Sequence, residues 1–172
     1  MARTSEEKWE PLDSLGTSGE TVAKNIRRIR TERGLPYTEL AERLERVGRE
    51  IPTWGLRKIE SGGRRVDVDD LMALASVLGV SPVTFLMPAR KDDGSEVTVD
   101  DHVPITGWRK PISARWVWGW LTAGQPLIHG TLGSFVALAW PSWEREQFDM
   151  DVYQQIEKQK MERAYRGSNG ND

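Results

Sequence analysis

Hydrophobic positions between residues 17 and 88 recur at helical spacing in five short runs, each closed by glycine or proline. Val22, Ile26 and Ile29 fall at i, i+4 and i+7, one face of a helix, while Lys24, Arg27, Arg28 and Arg30 lie off that stripe. Thr17 stands three residues before Glu20, the spacing of a capping box, and Gly34 closes the run. A second helix is predicted from near Pro36, with Leu40, Leu44 and Val47 inward, the small Ala41 beside them and Gly48 at its end. The third is short, about Pro52 to Ser61, with proline in the first turn, where its missing N–H is unpaired in any case. Leu56 and Ile59 point inward, which turns Thr53, Trp54, Arg57 and Lys58 outward, and Gly62-Gly63 ends the run. Asp67 and Asp70 have capping spacing for a fourth helix, with Leu71, Leu74, Ala75 and Leu78 inward and Gly79 as stop. Ser81-Pro82 opens a fifth that carries Phe85 and Leu86 and stops at Pro88.

The pattern then changes. Residues 89–101 are acidic, contain Gly94-Ser95 and read as a linker. Residues 102–143 hold six of the eight tryptophans: Trp108, Trp116, Trp118, Trp120, Trp140 and Trp143. Ser113 is placed to cap a helix running to Thr122, which puts Trp116 and Trp120 on one face; an alternating strand through Arg115-Trp116-Val117-Trp118 is the other reading, and helix is preferred. Phe135 to Trp140 is apolar and undecided. Gly130-Thr131-Leu132-Gly133-Ser134 lacks the lysine of a phosphate loop and reads as a turn. Pro141-Ser142 opens a helix to about Tyr165, striped by Phe148, Val152 and Ile156. The expected organisation is a flexible segment 1–19, a compact helical domain 20–88, the linker 89–101, a Trp-rich and helical unit 102–165, and a polar tail 166–172. The fold class is mostly α.

Composition narrows the function. The chain has 172 residues and no cysteine, hence no disulfide framework and no thiolate metal site. No apolar run approaches the roughly 20 residues of a membrane-spanning helix, so no membrane partner is expected. The N-terminus has acids near its start and no apolar core, unlike a secretory signal. A cytoplasmic protein is expected. The net charge of −2 hides a polarity: residues 20–65 hold 12 Lys and Arg against 7 Asp and Glu, and residues 66–107 hold 2 against 8. A polyanion meets the local field, because salt screens charges beyond about 8–10 Å. His102 and His129 are the only histidines and stand apart, so neither a metal site nor a catalytic constellation is expected, and no cofactor. There is no convincing serine–lysine pair for a self-cleaving domain.

Leu40-Ala41-Glu42-Arg43-Leu44, Arg57-Lys58-Ile59-Glu60-Ser61-Gly62 and Leu74-Ala75-Ser76-Val77-Leu78-Gly79-Val80-Ser81 together resemble the Cro/lambda-repressor (Xre-type) helix-turn-helix family over about residues 20–88. The resemblance implies a five-helix bundle that binds operator DNA through its third helix, commonly as a dimer. This chain departs from the family pattern in three places. The segment between Leu44 and Ile59 is about five residues longer, around Glu45 to Glu50. Pro36 and Tyr37 replace the usual polar cap and the phosphate-binding glutamine, so the Tyr37 hydroxyl is the candidate substitute. Trp54 and Gly55 stand where small polar residues often read bases.

Within that frame Arg57 is the leading base reader, since a guanidinium donates twice to guanine O6 and N7. Thr53 and Trp54 are its neighbours on the outward face, although packing against the core or the extended loop is preferred for Trp54 over a thymine methyl. Lys24, Arg49, Lys58, Arg64 and Arg65, with Tyr37, are the candidate phosphate contacts, which set register without reading sequence. Glu60 is read as structural, paired with an arginine of the bundle. The expected function is an operator-binding transcriptional regulator, most readily a repressor of bacterial or phage origin, with no enzyme activity. The other reading is a helix-turn-helix relic used as a protein-interaction module, such as an antitoxin-like or adaptor protein. The expected partners are double-stranded DNA and a second copy, with the Trp-rich unit open to self-association or to an unknown protein or small-molecule effector.

Overall fold

The computed structural model describes residues 15–127, 130–149, 151–152, 155 and 158. Expectations for the lead-in before residue 15, for His129, for Ile156 and the helix end near Tyr165, and for the tail 166–172 lie outside the described residues. The fold is mostly α. The chain divides into two compact units, Met1–Leu121 and Thr122–Asp172.

In the first unit five helices follow in order: α1 (Thr17–Glu32), α2 (Tyr37–Arg46), α3 (Thr53–Glu60), α4 (Val68–Val77) and α5 (Pro82–Leu86). Their apolar stripes meet in one core in which Ile26, Leu40, Leu44, Ile51, Leu56, Ile59, Leu74, Leu78 and Phe85 are almost wholly removed from water. At about 25 cal/mol per Å² of buried apolar surface, these side chains supply the main drive for the bundle. Asp67 caps α4 by accepting from the Asp70 N–H at 2.7 Å, and Ser81 caps α5 by accepting from the Val83 N–H. Gly34, Gly48, Gly62 and Gly79 each adopt positive φ just beyond a helix, where a side chain would be strained.

Three details differ from the sequence reading. Thr17 does not cap α1: Gly16 holds that position, and Thr17 is already inside the first turn, its carbonyl accepting the Thr21 hydroxyl at 3.1 Å. Pro36 and Pro52 are themselves the N-cap residues of α2 and α3 rather than first-turn residues. Val47 is 52% exposed, because α2 has ended at Arg46 and the longer connection drops Ile51 into the core instead.

The first unit continues well beyond residue 88. Residues 89–101, read as an acidic linker, carry backbone hydrogen bonds from Lys91 to Ser95 and from Val97 to Ala89, and Asp101 accepts from the Thr98 amide and hydroxyl at 2.7 Å. β1 (His102–Val103) pairs antiparallel with β2 (Ile112–Ser113), and α6 (Ala114–Leu121) follows directly. Val103, Ile105, Ala114 and Val117 bury together with these elements as a small satellite core. Helix is therefore the state of the Arg115–Trp118 stretch, but it starts from a strand rather than from a Ser113 cap. This extension also caps α1: the Ser18 N–H donates to Thr106 Oγ1 at 3.1 Å and the Thr106 N–H returns to Ser18 Oγ at 3.0 Å.

In the second unit α7 (Leu132–Ala139) takes Thr131 as its N-cap, whose hydroxyl accepts from the Ser134 N–H. The Gly130–Ser134 stretch expected as a turn is thus a helix start. Residues 142–149 and 151–152 are helical, as the Pro141-Ser142 signal predicts. Trp140 anchors this unit, its indole N–H donating to the Ala123 carbonyl and its ring meeting Phe148 edge-on at 5.4 Å.

Candidate nucleic-acid interface

The candidate interface is the outer face of α3. Leu56 and Ile59 are fully buried and fix the roll of the helix, so Trp54, Arg57 and Lys58 are exposed and Thr53 half-exposed at its entrance. Gly55 is explained by what lies beneath it. A Cβ there would stand 3.2 Å from an Arg64 guanidinium nitrogen and 3.3 Å from an Ile51 methyl, a tight fit that these neighbours would have to relax by a few tenths of an ångström to admit.

Arg57 is not a loose surface side chain. Its guanidinium lies over the Tyr37 ring, 4.7 Å from the centroid, and Arg30 covers the same ring at 4.0 Å. Arg30 makes a paired contact with Glu60, Nε to Oε1 at 2.6 Å and Nη2 to Oε2 at 2.9 Å, and reaches the Leu35 carbonyl at 2.9 Å. The Tyr37 hydroxyl donates to Glu60 Oε2 at 2.8 Å. Glu60 is buried and fully engaged, which satisfies the rule that a buried charge needs partners. The result is a stack, Arg30–Tyr37–Arg57, clamped to the end of α3 from α1 and α2. The hydrogen bond to Glu60 raises the Arg30 pKa, and burial followed by the same carboxylate holds the Tyr37 phenol above its ordinary value. Lys58 lies over the neighbouring Trp54, 5.5 Å from the ring centroid, as an exposed cation–indole pair.

The remaining expected phosphate contacts divide. Tyr37 does not suit that role, because its only hydroxyl hydrogen already serves Glu60. Arg49 donates to Asp70 Oδ1 at 2.7 Å and to Asp67 Oδ2 at 2.6 Å, and Arg64 donates to Asp70 Oδ2 at 2.8 Å. Asp70 is 1% exposed, and these two arginines neutralise it. Both are braces that tie the long α2–α3 connection and the α3–α4 connection to the start of α4. The Asp70 hydrogen bond raises the Arg49 pKa; the Asp70 amide, followed by Arg49, holds the Asp67 carboxyl below its usual range. Lys24 is exposed on α1 but lines a groove beside Arg90 and His102, apart from α3. Arg65 is exposed near Leu15 and Val68. Trp54, at 62% exposed, packs in neither the core nor the loop, because the buried stripe of α3 is already filled by Leu56 and Ile59.

Sequence reasoning missed Asn25. It is buried, and its amide donates to the Phe85 carbonyl at 3.0 Å and the Met87 carbonyl at 2.7 Å, clasping the open end of α5 to α1. A polar residue adjoining the apolar stripe of α1 was the only available signal. Among the described residues no cluster of His, Asp and Glu suits a metal ion.

Two short helices set one behind the other, the second with an engaged core face and a cationic outer face, define the helix-turn-helix class. Residues 26–85 match the helix-turn-helix family model, and over that segment the chain is similar to the Cro/lambda-repressor (Xre-type) helix-turn-helix family. A helix-turn-helix segment of this kind supports a DNA-binding regulator in general. No match is found among curated proteins or among solved structures. Among the described residues no helix is long and apolar enough to cross a membrane.

Proposed function

We propose that this regulator is a sequence-specific repressor of bacterial or phage origin, working in the bacterial cytoplasm by occupying an operator. One observation carries the reading: α3 presents Thr53, Trp54, Arg57 and Lys58 outward while its inner face is locked by Leu56, Ile59 and Glu60. A helix of that kind fits the major groove. In this reading Arg57 contacts a guanine edge, held ready by the Tyr37 ring, Thr53 and Trp54 meet neighbouring bases, and Lys58 and Arg65 meet phosphates. Operators recognised by such domains present paired half-sites, so a homodimer is part of the proposal. Its proposed pairing surface is the amphipathic helix from residue 142, on which Phe148 is half-buried against Trp140.

The test is titration of the full chain against duplex fragments from beside its own gene. Arg57→Ala should weaken the preferred operator by about 1–3 kcal/mol and relax preference at one base pair. Lys58→Ala should weaken all duplexes alike and reduce the salt slope by about one. Equal, sequence-independent losses in both variants would remove Arg57 from base reading.

A further inference from the structure

Between Asp101 and Glu144 the chain has no aspartate or glutamate, although it holds 26 in all, and the same stretch carries six tryptophans with Arg109, Lys110 and Arg115. We propose that the part of this segment in the first unit, residues 102–121, is a surface for an anionic lipid layer, on which that unit lies peripherally. In the first unit, Trp108, Trp116 and Trp120 are 41%, 48% and 40% exposed, because α6 turns only Ala114 and Val117 to the core. Trp116 and Trp120 are one helical turn apart, with Arg115 adjoining, and Arg109 and Lys110 follow Trp108 on the exposed connection between β1 and β2. Among the described residues none of these three cations has a carboxylate partner.

Indole rings with a polar N–H settle at the headgroup level of a bilayer, and arginine and lysine beside them attract anionic headgroups. Charge decides against the other occupants. A second copy seated on the same face would bring these cations against themselves with no carboxylate in the segment to meet them. Duplex DNA matches the charge, but it offers phosphates and stacked bases, with no apolar layer to receive three exposed indole rings. The earlier expectation of no membrane partner rested on the missing span, which a surface contact does not need.

The experiment is flotation of the full chain with vesicles of phosphatidylcholine alone and of phosphatidylcholine mixed with phosphatidylglycerol, read alongside tryptophan emission. Flotation with the mixed vesicles only, a blue shift of emission, and weakening by salt are expected. Arg109→Gln/Lys110→Gln/Arg115→Gln should lose roughly fivefold for each cation removed. Trp116→Ala/Trp120→Ala should lose flotation and most of the blue shift. All five side chains are exposed, and circular dichroism with the unchanged melting curve checks the folds. Three results would each overturn the proposal. The first is no flotation with the mixed vesicles. The second is flotation that survives both sets of changes but falls with Arg57→Gln/Lys58→Gln, which would assign it to the α3 face. The third is binding of single-stranded oligonucleotide, but not vesicles, with the same dependence on these residues.

Discussion

Tyr37 shows how much one residue can do here. Its ring is a platform for Arg57, its hydroxyl closes the Glu60 network, and it opens α2. A phenol whose pKa is raised by folding favours the protonated form. Its contribution is therefore complete below the unfolded value and lost as pH rises through the higher folded value. An ultraviolet titration of the folded chain should show one of the three tyrosines ionising late, and Tyr37→Phe should remove that step. The same substitution should destabilise by about 1–2 kcal/mol, since the lost hydrogen bond runs to a charged acceptor. A late step that persists in Tyr37→Phe would contradict the assignment. Asp70 is the other keystone. Asp70→Ala strands Arg49 and Arg64, and because both guanidiniums keep about a third of their surface in water the expected loss is about 2 kcal/mol, below that of a wholly buried pair. Urea unfolding measures it, and an unchanged midpoint would mean that the braces are idle.

At the scale of elements, α1 to α5 were legible because their signals are local. Stripes at helical spacing, Asp67 and Ser81 at the caps, and a positive-φ glycine after each of the first four helices all act within a few residues. The start of α1 was misread because its Ser18 amide is met by Thr106, 88 residues away, and no local pattern encodes that pairing. Arg49 and Arg64 were misread for the same reason. Their charge was visible, but their partner, Asp70, was visible only as part of a helix cap. Trp54 was misplaced because its bulk suggested burial, whereas the inward positions of α3 were already occupied. Two predictions belong here. Thr106→Val removes the acceptor for the Ser18 N–H while keeping the Thr106 N–H to Ser18 Oγ bond, and should cost about 1 kcal/mol and speed amide exchange in the first turn of α1, with the far end of that helix unaffected. Ala41→Leu should overpack the contact between α2 and α3 by about 1–3 kcal/mol; an unchanged melting temperature would place Ala41 outside that contact.

At the scale of the whole molecule, the boundary expected after residue 88 gave way to a first unit that runs to Leu121, since β1, β2 and α6 carry their own buried residues and reach back to α1. Composition had marked residues 89–101 as acidic, yet could not show that Asp93 and Asp101 are engaged by Ser95 and Thr98. These hydrogen bonds hold both carboxyls below their usual range, as the Asp70 amide does for Asp67. A depressed carboxyl contributes stability above its unfolded value and loses it as pH falls through the lower folded value. The first unit should accordingly soften on acidification below about pH 4, and Asp67→Asn should flatten only part of that limb. A chain cut after Leu121 should keep the cooperative unfolding of the first unit, whereas a cut after residue 101 should leave Ser18 uncapped and lower its melting temperature.

The central claim is that the outer face of α3 binds duplex DNA, and titration of the full chain against an operator fragment over a range of salt tests it most directly. Affinity should fall linearly on a log–log plot with a slope near −0.9 for each phosphate neutralised. That slope should be shallower by about one in Lys58→Ala. Binding that is absent at low salt, or indifferent to both salt and the α3 substitutions, would contradict the account.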